Sequence, residues 1–325
     1  MTEATSINKR AIVALGGNAI TVKQIEDTIA NQFANTRRSL HTIVELAREG
    51  YDLCVTHGNG PQVGNALLRV ELTRGKAPEL PLGICVADTE GGMGYMIEQS
   101  LQNRLDKEGI KRQVCTVITQ MVVDVNHPSV KNPTKFIGQF YSEDEAKTMA
   151  RERNWTVRRD ADRGWRRVVP SPIPLTCVEK EVIRLLLDQH VIVIAAGGGG
   201  IPVYIDPVLG YEGVDAVIDK DLASAIMGRE VGAELLLILT SVDRAAVNFG
   251  RPSQTWLDRV AVSELQAYND EGHFPSGSMG PKVEAAINFI RHGGRRVIIT
   301  SLDKAVEAMK GRAGTHIYPD QESFD

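Results

Sequence analysis

Cysteine is scarce in this chain of 325 residues: Cys54, Cys85, Cys115 and Cys177 stand far apart. That spacing offers neither a zinc site nor a redox pair, and it fits a reducing compartment. Charge of one sign is also missing. The formal net charge is −4, which leaves no electrostatic case for nucleic acid or an anionic membrane surface. No run approaches the roughly 20 apolar residues of a membrane span. The start, Met1 to Arg10, is polar and carries no apolar signal-peptide core. These absences together make the cytoplasm the expected location. Several catalytic signatures are lacking too. There is no Gly-x-x-x-x-Gly-Lys-Ser/Thr, so the chain is not a P-loop enzyme. No Gly-x-Gly-x-x-Gly follows a strand, which weakens a dinucleotide reading. Gly-x-Ser-x-Gly and His-Glu-x-x-His are absent, so hydrolase and zinc-protease readings lack support.

What the chain has is alternation. Apolar, β-rich runs at Ala11–Leu15, Tyr51–Thr56, Gln113–Thr119, Val191–Ala196, Leu235–Leu239 and Arg296–Thr300 read as strands, the last of these closing the series. Between them lie helical patterns: residues 35–49 capped by Gly50, then Val63–Leu72, Gly92–Leu105, Cys177–Leu187, a helix opened by Asp219-Lys220-Asp221, Pro281–Arg291 and Lys304–Met309. Such alternation implies an α/β fold, a mainly parallel sheet with helices on both faces. Length alone allows one large domain or two, and the chain is read as one domain over residues 1–325.

Three strands end in glycine: Gly16-Gly17-Asn18, His57-Gly58-Asn59-Gly60 and Gly197 to Gly200. In open α/β sheets, ligands bind outside the carboxyl ends of the strands. Glycine there lets backbone amides approach a ligand closely. His57 invites a reading as a base, but at a strand end beside Gly58 a hydrogen-bonded structural role fits better. Lys220 stands out because a helix start carries positive charge and does not suit a cation. An anionic partner such as a phosphate would explain it; a tight turn with a solvated charge cluster is the alternative. Lys282, after Ser278-Met279-Gly280-Pro281, occupies the same kind of position.

Residues 124–170 break the alternation. They are polar and rich in Asn, Pro, Lys and Arg, and they read as an inserted lid subdomain. Its arginines suit an ordinary solvated surface better than a ligand site. Lys135, between a proline turn and Gly138, reads as functional. Phosphoryl transfer needs its phosphates positioned and the charge on the moving group neutralised. Glycine-rich strand ends with Lys135, Lys220 and Lys282 suit that chemistry, and Asp221 would hold a lysine or contact the waters of a metal.

A set of motifs carries a family resemblance. Ala14-Leu15-Gly16-Gly17-Asn18-Ala19, Thr56-His57-Gly58-Asn59-Gly60-Pro61-Gln62-Val63-Gly64, Asn132-Pro133-Thr134-Lys135, Arg166-Arg167-Val168-Val169-Pro170-Ser171-Pro172, Ala196-Gly197-Gly198-Gly199-Gly200-Ile201-Pro202, Val217-Ile218-Asp219-Lys220-Asp221-Leu222-Ala223 and Gly277-Ser278-Met279-Gly280-Pro281-Lys282 together resemble carbamate kinase, in the amino-acid kinase superfamily. The resemblance runs from about Ala11 to His316. It implies a three-layer αβα sandwich with an open sheet of about eight strands and a lid over the acceptor site, usually as a homodimer. It implies Mg²⁺ with ATP or ADP, and the reaction ATP + carbamate ⇌ ADP + carbamoyl phosphate, run mainly toward ATP in nitrogen catabolism. It assigns Gly16, Gly17, Asn18, Gly58 and Asn59 to the acceptor and moving phosphoryl group. Gly198, Gly199, Asp219, Lys220, Met279 and Lys282 fall to the nucleotide. Lys135, Lys220, Lys282 and Asp221 are the catalytic set, and no protein side chain is expected to ligate the metal directly.

Two stretches depart from that family's pattern. Ala19 to Phe33 is shorter and lacks a glycine-containing loop. Thr89-Glu90-Gly91-Gly92 stands where the family commonly has Ser/Thr-Gln-Gly. A carboxylate near an anionic acceptor would repel it, so Glu90 is expected to lie away from the site. Inside the site, it would argue for a different small anionic acceptor. A non-catalytic nucleotide-binding regulator is a third reading, against which the three lysines argue.

Overall fold

The computed structural model describes residues 9–17, 20–21, 26–160, 163–275 and 277–320. Among these, eight strands form one sheet: β1 (Arg10–Leu15), β2 (Asp52–His57), β3 (Val114–Thr116), β4 (Ile192–Ile194), β5 (Leu235–Thr240), β6 (Arg259–Ala261), β7 (Arg296–Ser301) and β8 (Thr315–Tyr318). Their spatial order is β6-β8-β7-β5-β1-β2-β4-β3. Every pairing is parallel except β7 with β8. Ala14 of β1 lies level with Thr56 of β2 and Ile238 of β5. Val55 of β2 lies level with Ile194 of β4. The carboxyl ends of β4, β2, β1 and β5 therefore open side by side along one edge.

The side-chain period of two sends alternate residues of β1 to opposite faces. Ile12 and Ala14 join a core with Ile183, Ala223, Met227, Val283 and Phe289. Ala11, Val13 and Leu15 join another with Leu40, Ile43, Ile97, Leu101 and Ala305. Helices Lys180–Asp188, Lys220–Val231 and Gly280–Arg291 cover the first face; His41–Arg48, Leu82–Lys107 and Ala305–Met309 cover the second. This is the expected αβα sandwich. Helices Lys220–Val231 and Gly280–Arg291 meet so closely that a Cβ on Gly228 would fall 2.5 Å from the Phe289 ring.

Some boundaries differ from the sequence reading. Arg296–Ser301 is not the last strand: β8 follows it, and β6 precedes it. The helix expected from Gly92 begins ten residues earlier, at Leu82. Its first N–H is capped by a remote side chain, Asp215 Oδ1, at 3.1 Å, so no local cap announces it. Residues 35–49 divide into helices Ile29–Ser39 and His41–Arg48 around Leu40. Cys177 belongs to a strand, Pro174–Cys177, and the helix starts at Lys180.

The polar insertion folds as a small unit. Lys135–Tyr141 pairs antiparallel with Trp165–Val169, which pairs with Val157–Arg159. Helix Glu143–Arg153 packs beside them, begun by a capping box of Ser142 and Glu145. Arg163 and Arg166 bind Asp160 at 2.8 and 3.1 Å. Arg166 also lies over Phe136 and Phe140, and Arg167 over Trp155. Those arginines hold the insertion together. At its root, Ile137 and Val169 pack with Val63, Leu82, Val86 and Val217.

Candidate active site

The site assembles at the carboxyl edge from segments far apart in the chain. Asp219 caps the helix Lys220–Val231: its Oδ1 accepts the N–H of Asp221 at 2.9 Å. That cap leaves Oδ2 of Asp219 for Lys135 Nζ, 2.8 Å away, which arrives from the insertion. Asp221 is buried, 3% exposed. Its Oδ1 accepts from Lys220 Nζ at 2.6 Å and its Oδ2 from Lys282 Nζ at 2.8 Å. Three ammonium groups from three segments thus gather on the carboxylates of one Asp-Lys-Asp step. Burial alone would raise the Asp221 carboxyl. The Lys220 and Lys282 ammoniums and their hydrogen bonds outweigh it and hold Asp221 well below the usual carboxylate range.

The glycine turns close on the same place. A Cβ on Gly58 would fall 3.3 Å from the Gly17 nitrogen and 3.9 Å from Lys220 Cδ. One on Gly16 would fall 2.7 Å from the Leu239 carbonyl oxygen, so β1 and β5 leave room for nothing larger. Gly197 to Gly199 form a tight turn after β4, entered by Ala196 at φ 50°. Gly198 faces the Asn59 side chain and Gly199 the Ile218 backbone, where a Cβ would fall 2.4 Å from oxygen. Thr56 and Ser224 share a hydrogen bond of 2.7 Å that ties β2 to the Lys220 helix. Asn59 donates to Thr89 Oγ1 at 3.0 Å.

Beyond β5 lies an apolar cavity of about 170 Å³ lined by Thr240, Ala246, Phe249, Phe274, Met279 and Lys282. Lys282 therefore joins the cation cluster to an apolar hollow. Gly198 and Gly199 do not line that hollow; they stand against Asn59 and Ile218. Among the described residues, no group of three or more His, Cys, Asp or Glu side chains is arranged to hold a metal. No described helix is long and apolar enough to cross a membrane.

The amino acid kinase family profile matches residues 9–301. The chain belongs to the amino acid kinase family. It is 49% identical to the carbamate kinase of Pyrococcus horikoshii, over 96% of this chain and 99% of that one. It is 47% identical to the carbamate kinase of Pyrococcus furiosus, over 96% of this chain and all of that one. Among solved structures, carbamate kinase from Giardia lamblia bound to AMP-PNP superimposes with a TM-score of 0.90 at 42% identity, covering 97% of this chain and 99% of that one. An amino acid kinase is a phosphotransferase, and the cation cluster suits that chemistry.

The structure brings Lys135, Asp219, Lys220, Asp221 and Lys282 into one cluster, with Gly17 and Gly58 beside it. Asn18 lies outside the described residues. His57 is buried, and its Nδ1 sits 3.3 Å from the Gly58 carbonyl oxygen. Burial, and the Lys220 charge after it, push its imidazole down to about 4, so it is a neutral, structural histidine. One expectation needs correction. Glu90 does not lie away from the site; it is buried under the Gly197 turn, beside His57. Burial there raises its carboxyl well above the usual range. Sequence reasoning missed Phe249 and Phe274, which carry no local signal, and the Thr56–Ser224 tie, whose partners are 168 residues apart.

Proposed function

We propose that this chain is a carbamate kinase, passing a phosphoryl group between ATP and carbamate. The observation that carries the reading is the meeting of Lys135, Lys220 and Lys282 on Asp219 and Asp221, against the Gly17 and Gly58 turns. Carbamate is already an anion, so no general base is needed. The barrier is the repulsion between two anions and the charge that spreads over the moving group. Lys220 and Lys282, on the nucleotide side, take up that charge, and Lys135 reaches the acceptor from the lid. Amides of Gly16, Gly17 and Gly58, with Asn18 and Asn59, orient the acceptor and the moving group. Gly198 and Gly199 keep that side of the site narrow enough for the phosphates. The hollow beside Met279 suits a nucleoside ring, with Lys282 at its phosphate end.

Mg²⁺ fits as a companion of the nucleotide, because it characteristically keeps most of its waters and binds through one or two carboxylates and substrate phosphates. Asp219 and Asp221 are the carboxylates that would hold those waters. When bound, the ion would add charge neutralisation between the phosphates. The expected setting is a cytoplasmic homodimer that works toward ATP in nitrogen catabolism.

A coupled assay tests the reading. The purified chain, given ADP, Mg²⁺ and carbamoyl phosphate, is expected to form ATP. No ATP in that assay rejects it and moves the search to another small anionic acceptor.

A further inference from the structure

Glu90 lies in the middle of the helix Leu82–Lys107 and is 2% exposed. Its Oε2 accepts the Thr119 N–H at 2.8 Å. Thr119 Oγ1 accepts the N–H of Ala196 at 2.9 Å, and Ala196 opens the four-glycine turn in a left-handed conformation, φ 50°. The other oxygen, Oε1, is buried without a hydrogen-bond partner. Gly197 is wedged between Glu90 and His57: a Cβ there would fall 3.1 Å from Glu90 Cγ and 2.5 Å from His57 Nε2. His57 adjoins Gly58, and Gly58 adjoins Lys220. One line of contact thus runs from Glu90 through the second glycine turn to the cation cluster.

A buried carboxylate with one donor and no cation is costly. The neutral acid costs less: it still accepts the Thr119 N–H at one oxygen and brings no charge into the interior. His57 stands on the other side of Gly197 from Glu90. With its Nδ1–H turned to the Gly58 carbonyl, Nε2 is left as a lone pair beside the same glycine. The titratable groups around Glu90 are His57 from β2 and Glu179 from the turn before the helix Lys180–Asp188; the segment after β3 meets it through Thr119, which does not titrate, and the glycine turn brings no ionisable side chain. Burial disfavours the charged form of both Glu90 and His57.

We propose that Glu90 is a positioning residue that braces the Ala196–Gly200 turn as a neutral acid, through Thr119, so that the transfer site is assembled only while Glu90 keeps its proton. The inference rests on the phosphoryl-transfer reading of that site. Losing the proton would set an unpaired carboxylate near Glu179, directly under the Gly197 turn. That charge pushes on the turn proposed to frame the phosphates.

The sign of the pH effect follows. The folded chain holds the Glu90 proton more tightly than the unfolded chain, because burial raises the carboxyl. The stabilisation is complete below the ordinary glutamate range and is lost as pH rises through the raised value. Glu90→Gln keeps an acceptor and a donor and cannot ionise. Wild type, Glu90→Gln and Glu90→Ala are compared from about pH 5 to about pH 9, by thermal unfolding and by the rate of ATP formation. Glu90→Gln is expected to match wild type at the acid end. It then outpaces wild type increasingly as pH rises, and its lead in Tm widens in step. Glu90→Ala loses both groups and runs about tenfold slower throughout. A gap between wild type and Glu90→Gln that stays constant with pH, in both rate and Tm, overturns the proposal. If neither protein forms ATP, the Tm comparison decides. A gap that widens with pH supports the neutral brace, and the carbamate reading alone is lost; a constant gap overturns the brace as well.

Discussion

A cation in the first turn of a helix opposes the positive end of that helix, and Lys220 and Lys282 both stand in that place. Asp221 makes the arrangement tolerable by taking one ammonium on each oxygen. Lys220→Ala leaves Asp221 paired with Lys282, so the fold is expected to persist by circular dichroism. The rate of ATP formation should fall by about 10² to 10³, the usual cost of losing one preorganised charge-stabilising group. Wild-type turnover in that variant would refute the role of Lys220. At this scale Lys220 and Lys282 were readable from sequence because each is a charge at an awkward helix start, and Lys135 because it stands between a proline turn and Gly138. The place of Glu90 was not. It depends on where a 26-residue helix begins, and on a turn and a strand end that meet it from more than 25 residues away in the chain.

At the scale of elements, six of the eight strands were plain, because doubly buried parallel strands read as unbroken apolar runs. The two that were missed, β6 and β8, lie at the far edge of the sheet. β6 spans three residues and carries an exposed arginine; β8 runs antiparallel to its neighbour β7. Neither offers an apolar run of the usual kind. The helix Leu82–Lys107 was shortened by its own glycines, Gly91, Gly92 and Gly94, which read as a boundary. Gly94 has a packing reason: a Cβ there would fall 2.3 Å from the Thr116 methyl, so the helix lies almost on β3. The glycine turns allow a sharper test. Gly199 has φ +101° and faces backbone, so Gly199→Ala should cost about 1–3 kcal/mol in backbone strain, and more where the Ile218 backbone cannot yield. Gly213 has open space and no positive φ, and Gly213→Ala should fall within about 0.5 kcal/mol of wild type. Urea unfolding of the pair checks both; equal stabilities would show that the turn after β4 is looser than its geometry says.

At the scale of the whole molecule, the proposed site draws on β1, β2, β4, β5, two helix starts and the insertion, so occupied ligands would bind these parts to one another. ADP with carbamoyl phosphate is expected to raise Tm, by mass action contributing about 2.7 kcal/mol when ligand stands at a hundredfold excess over Kd. Lys282→Ala should blunt the ADP effect; an undiminished shift would place the nucleotide elsewhere. In the free protein, Lys135 rests on Asp219 and the other two cations rest on Asp221. On the proposed reading, an arriving phosphate would exchange partners with a resident carboxylate and would not meet bare charge. The same carboxylates would reclaim the lysines when product leaves, so that neither side of the proposed reaction need become a trap, and traffic could run in whichever direction supply dictates.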